Sequence, residues 1–108
     1  MKLSKLFKKV VHRRTILSKA KGLMFSKKIN DEAHVFYFEK PQKISLHMYF
    51  VFQTIDVVTL NQEGKVQELT TLKPFQTHKF KEKSKICIEM PENSIKKHKI
   101  NQGQKITI

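Results

Sequence analysis

The 108-residue chain has one cysteine, no tryptophan, three glycines and three prolines, and each scarcity excludes something. A lone Cys87 makes no internal disulfide and no cysteine-rich zinc site, which is compatible with a reducing compartment. Three isolated glycines build neither a phosphate-cradling loop nor a dinucleotide fingerprint, and no Gly-x-Ser-x-Gly elbow occurs. With so few glycines and prolines there is no long low-complexity linker. Long apolar runs are missing as well. In the first thirty residues the longest stretch free of Lys or Arg is Gly22 to Ser26, too short for a signal peptide. The longest uncharged stretch, Ile44 to Ile55, contains Ser45, His47, Gln53 and Thr54 and does not span a bilayer. A cytoplasmic protein without a membrane span is expected.

Acidic residues are also scarce: nine, against 22 Lys and Arg, for a net charge of +13. Residues 1–28 carry +10 with no acid at all, residues 29–72 carry −3, and residues 73–108 carry +6. Such cationic ends attract polyanions at low salt, RNA, DNA and anionic lipid among them. A lysine-rich surface kept for solubility is the plainer account. Eight Phe and 39% hydrophobic residues supply one core, and the length suits one domain.

Leu3, Leu6, Phe7, Val10 and Val11 repeat at helical spacing among lysines. A helix packed on the domain, a strand leading in through Val10 and Val11, or a surface arm would each explain them. Thr15 to Lys21 reads as a short helix capped by Thr15 and stopped by Gly22. Ala33 to Phe38 is β-prone and ends at Pro41. Ile44, Leu46, Met48, Phe50 and Phe52 alternate with Ser45, His47, Tyr49, Val51 and Gln53, as in a strand with one core face. Ile55 to Leu60 and Lys65 to Leu72 flank Asn61-Gln62-Glu63-Gly64, a hairpin. Lys73-Pro74-Phe75 interrupts, and a polar, basic loop runs to Lys85. Ile86 to Met90 reads as a strand, Glu92 to Lys99 as a short helix, and Lys105 to Ile108 as a closing strand. The expected class is α+β, mainly β: a small single-domain β-barrel or sandwich with two or three short helices. Residues 1–14 form a basic N-terminal segment and residues 15–108 the domain.

The ordered series Gly22-Leu23-Met24-Phe25, Val35-Phe36-Tyr37-Phe38, His47-Met48-Tyr49-Phe50-Val51-Phe52, Ile55-Asp56-Val57-Val58, Gly64-Lys65-Val66, Lys73-Pro74-Phe75, Ile88-Glu89-Met90-Pro91 and Ile100 to Ile106 resembles domain-of-unknown-function family 192. Its His-Met-aromatic-aromatic wording is similar to that of archaeal members. Two departures stand out. Glu92-Asn93 replaces a usual Gly, and Gln104 follows Gly103 where Asp is usual. The resemblance implies a compact, mostly β domain and no established activity.

Candidate chemistry is sparse. Asp56 and Glu89 lie inside apolar strands, where a carboxylate must be bonded, paired or raised in pKa. Each suits either a structural role or a ligand-orienting acid. His47, on the face away from Met48, and Lys73 complete a candidate ligand-binding set. Lys8, Lys9, Arg13 and Arg14 form a candidate nucleic-acid contact. Basic residues alternate with Phe7, Phe75 and Phe80, and Phe stacks on bases, but no RNA-binding or DNA-binding motif is present. The five His show no ligand spacing, so no metal, cofactor or catalytic residue is assigned. Cys87 reads as a small buried hydrophobe. The leading expectation is a non-catalytic binding or accessory module contacting a polyanion such as RNA. The alternative is a small enzyme or ligand-binding domain using Asp56 and Glu89. A protein partner, as for a subunit of a larger assembly, is a third.

Overall fold

The computed structural model describes residues 1–14 and 28–108, with Arg14 described in its backbone only. The expected helix from Thr15 to Lys21 and the Gly22-Leu23-Met24-Phe25 motif lie outside the described residues. Five strands form one sheet in the order β1-β2-β5-β3-β4. They are β1 (Lys9–Arg14), β2 (Glu32–His47), β3 (Ile55–Leu60), β4 (Val66–Leu72) and β5 (Thr77–Pro91), with one-turn helices α1 (Leu3–Leu6) and α2 (Ser94–Lys97). The β1–β2 pair is parallel and every other pair antiparallel. The domain is thus mainly β, and its sheet curls without closing.

Apolar side chains cover both faces of the sheet. On one face, Ala33, Val35, Val58, Ile88 and Met90 pack under Leu3, Phe7, Ile100 and Ile106. On the other, Phe36, Val57, Cys87, Ile55 and Leu72 pack under Phe38, Ile44, Leu46, Met48 and Phe80. This is why β3 is buried at all six positions: a strand with both faces covered needs no polar alternation. At the N-terminus the helical stripe is realised only to Phe7, after which Lys9 to Arg14 extend as β1. Residues 1–14 therefore contribute both a core patch and a strand.

The hairpin between β3 and β4 follows the expectation. The Asn61 Oδ1 accepts the Glu63 and Lys65 amides at 2.9 and 3.0 Å. Gly64 takes φ 79°, a conformation that suits glycine.

Three boundaries differ from the sequence expectations. Pro41 does not end β2. The strand bulges there, between the Tyr37–Ile86 and Gln42–Ser84 pairs, and continues to His47. The alternation expected from Ile44 to Gln53 stops at Met48. The Val51 amide bonds back to the Met48 carbonyl at 3.2 Å, with Phe50 at φ 58° between them. This turn reverses the phase: Phe50 and Phe52 are 47% and 61% exposed, whereas Val51 and Gln53 are 1% and 7%. Finally, the basic stretch before Lys85 is strand rather than loop. Residues 77–85 are the first half of β5 and pair with Gln42 to His47 of β2. This two-stranded ribbon bends over the sheet face, turning Phe80 into the core. Lys105 and Thr107 make single bridges, to Lys65 and Lys2, in place of a full closing strand.

Candidate functional site

Register decides which candidate residues meet. Asp56 is paired with Met90, and Val57 with Glu89. Because successive side chains alternate across a sheet, the two carboxylates emerge on opposite faces. They do not share a pocket.

Asp56 is buried and satisfied. It accepts the Thr71 hydroxyl on Oδ1 and the Ile95 amide on Oδ2, both at 2.8 Å. The second bond satisfies a free amide in the first turn of α2, whose own N-cap, Asn93, makes no side-chain cap. Asp56 therefore joins β3, β4 and α2.

Glu89 is buried among different partners. It lies beside His34 in the β2–β5 pair, and Cys87 follows on the same face. Burial raises the Glu89 pKa to about 8, and the Arg13 charge opposes the rise only in part. The carboxyl is therefore mostly protonated at neutral pH. Arg13 Nε–H donates to His34 Nδ1 at 3.3 Å, which leaves the proton of a neutral His34 on Nε2. Burial, with help from Arg13, lowers the His34 pKa, against the pull of Glu32. Its Nε2 and the Thr59 Oγ1 are buried without a hydrogen-bond partner. Cys87 is wholly buried, and desolvation followed by Glu89 raises its thiol pKa well above the usual value. These groups are neutral and enclosed.

The other candidates are distributed around the rim. His47 is half-buried at the end of β2, stacked on Tyr49 with ring centroids 4.9 Å apart. Lys73 is exposed in the turn after β4, and its amide donates to Gln76 Oε1 at 2.8 Å. Met48 links the two regions by bonding the Gln76 carbonyl and the Phe75 amide. Lys8 is exposed; Lys9 is exposed too and lies 3.8 Å from Glu32. Arg13 turns inward to His34 and Phe36, and the Arg14 backbone pairs with Tyr37.

A cationic surface missed in the sequence lies on the ribbon. Lys79, Lys81, Lys83 and Lys85 are exposed, alternating with buried Phe80 and Ser84. Alternate strand residues stand about 6.8 Å apart. Lys43 faces Lys83 across the ribbon, and Lys40 is exposed near the bulge. None of these lysines has a carboxylate within ion-pair distance among the described residues. The ribbon backbone is anchored to β4. Glu68 accepts the Lys81 and Glu82 amides at 3.0 and 2.9 Å, and Gln67 Nε2 donates to the Lys83 carbonyl at 3.0 Å. The signal was present: Phe80 alone among alternating lysines marks a strand with one apolar contact.

Where the ribbon bends, a cleft of about 750 Å³ opens between the β2 bulge, the β3–β4 turn and β5. Tyr37, Phe38 and Ile86 wall it, Asn61, Gln62 and Gln67 bring carboxamides, and Lys83 and Lys85 reach it from the cationic stripe. Among the described residues no group of three or more His, Cys, Asp or Glu is placed to hold a metal ion. No helix among them is long and apolar enough to cross a membrane.

The family model for domain-of-unknown-function family 192, described as an uncharacterized ACR, matches residues 5–108. The chain belongs to this family. Among family relatives, a UPF0127 protein of Pyrococcus horikoshii is 30% identical over 92 residues, covering 85% of this chain and 80% of its own length. A UPF0127 protein of Thermococcus kodakarensis is 29% identical over 97 residues, covering 86% of this chain but only 60% of that relative. The family fold also matches a Sinorhizobium meliloti protein described provisionally as a transcription regulator, with TM-score 0.80 and 15% identity. That match covers 87% of this chain and 76% of the other. A Novosphingobium aromaticivorans protein of unknown function gives TM-score 0.81 and 19% identity, covering 89% and 71%.

Proposed function

We propose that this family 192 domain is a non-catalytic binding module that engages a polyanion such as RNA along its lysine ribbon. The observation that carries this reading is the stripe of exposed Lys79, Lys81, Lys83 and Lys85, unpaired with any described carboxylate and held on a strand anchored by Glu68. A rigid row of cations needs no rearrangement to meet a row of phosphates. Lys8 and Arg14 extend the charge at another edge, while Arg13 and Lys9 have partners within the fold. The rival pairing of Asp56 with Glu89 in one active site is disfavoured by their opposite faces. A cytoplasmic location fits the single thiol, and a protein partner in place of a nucleic acid is the rival for the same surface.

The test is a titration of the protein with RNA and with DNA across salt. Four phosphate contacts predict an affinity falling on the order of a hundredfold between about 50 and about 200 mM salt. Absence of binding at low salt overturns the reading.

A further inference from the structure

The stripe of lysines leads into the cleft, and the two differ in chemistry. The stripe offers charge alone. The cleft adds the flat or apolar walls of Tyr37, Phe38 and Ile86 and a set of carboxamides whose hydrogen-bonding capacity is not exhausted by the fold. Asn61 uses its Oδ1 within the turn, and its Nδ2 protons have no partner among the described residues. Gln67 uses its Nε2 on the Lys83 carbonyl, and its Oε1 remains an acceptor. Exposed Gln62 makes no hydrogen bond among the described residues. Donors and acceptors mixed along an apolar wall match the edge and face of a nucleobase. They match poorly a ligand that is anionic throughout, which would leave the amides without partners and the walls uncovered.

We propose that the cleft receives an unstacked base of a single-stranded nucleic acid whose phosphates run along Lys79 to Lys85. This rests on the polyanion reading and narrows it: the partner is a single strand, since a paired base cannot leave its stack without cost. A base in the cleft places its own phosphate beside Lys83 and Lys85, and neighbouring phosphates follow the ribbon. The site is sequence-tolerant where it stacks and discriminating where the carboxamides bond.

The experiment uses the full chain carrying Gln62→Cys. The only native thiol, Cys87, is buried with a raised pKa, so a maleimide modifies the introduced thiol selectively. The rate of modification is measured free, with a short single-stranded oligoribonucleotide, and with inorganic polyphosphate of equal charge, each at saturation. The expected result is protection on the order of tenfold by the oligonucleotide and little by polyphosphate. The unmodified parent should also bind the oligonucleotide on the order of tenfold more tightly, the contribution of a single stacked base. If both ligands bind but protect equally, or neither protects, the base site is overturned and the cationic ribbon stands. If neither ligand binds at low salt, the polyanion reading falls together with the base site.

Discussion

The Asp56 Oδ2 accepts the Ile95 amide at 2.8 Å, so a carboxylate in the middle of β3 caps a helix 39 residues further along the chain. Replacing Asp56 by Ala removes this bond and that from Thr71, and should cost about 2–3 kcal/mol in denaturant unfolding. Asp56→Asn should cost about 1 kcal/mol. Its amide oxygen still accepts from Ile95, and the Thr71 hydroxyl can rotate to accept from its NH₂. Equal losses for the two variants would refute the capping role.

Glu89 makes stability depend on pH with a defined sign. Its pKa is about 8 in the fold against an ordinary 4.5, so the native state holds a proton that the unfolded chain has already lost. Stability is fully present below about pH 4.5, declines as pH rises, and levels off above about pH 8, at about 1.4 kcal/mol per pH unit within the window. Glu89→Gln keeps the shape without the charge and should flatten this decline in chemical-denaturation curves between pH 5 and 8.

His34 works in the opposite direction. Its pKa is lowered by burial, so the unfolded chain takes up a proton first as pH falls below 6.5. Stability associated with His34 is therefore present above that pH and is lost as pH drops through the folded value. The His34→Gln variant should lose less stability on acidification than the parent, measured over the same denaturant series.

Cys87 is expected to be inert in the native protein. A thiol-specific reagent at pH 7 should react at the rate of global or local opening, and at the unhindered rate once denaturant unfolds the chain. Rapid modification under native conditions would contradict its burial.

Neutralising the ribbon separates charge from fold. The triple change Lys79→Gln, Lys81→Gln, Lys83→Gln should leave unfolding stability within about 1 kcal/mol, since the positions are exposed. The salt dependence of RNA binding should become shallower by about 2–3 in the log–log slope.

Local signals made the β3–β4 hairpin legible: Asn61 and Gly64 carry turn chemistry, and their flanks are β-prone. The family resemblance made the mainly-β class legible as well. The phase reversal after Met48 was hidden because Phe50 occupies a left-handed conformation that nothing in its type announces. Residues 77–85 read as a loop because tertiary pairing with β2, rather than local hydrophobicity, makes them a strand. The separation of Asp56 from Glu89 depends on strand register, which no one-dimensional pattern contains. The cleft depends on the bulge at Pro41, which had looked like an ending. Arg13 was counted as a surface cation, although its position opposite Phe36 turns its guanidinium toward His34.

Strand β1 is outermost in the sheet, and its free side carries the backbone groups that would otherwise recruit another chain. Lys8, Lys9, Arg13 and Arg14 cluster along this margin. Two copies approaching margin to margin would bring like charges together before any hydrogen bond formed. The positive charge at the start of the chain thus guards against self-templated fibril growth, whatever the domain binds elsewhere.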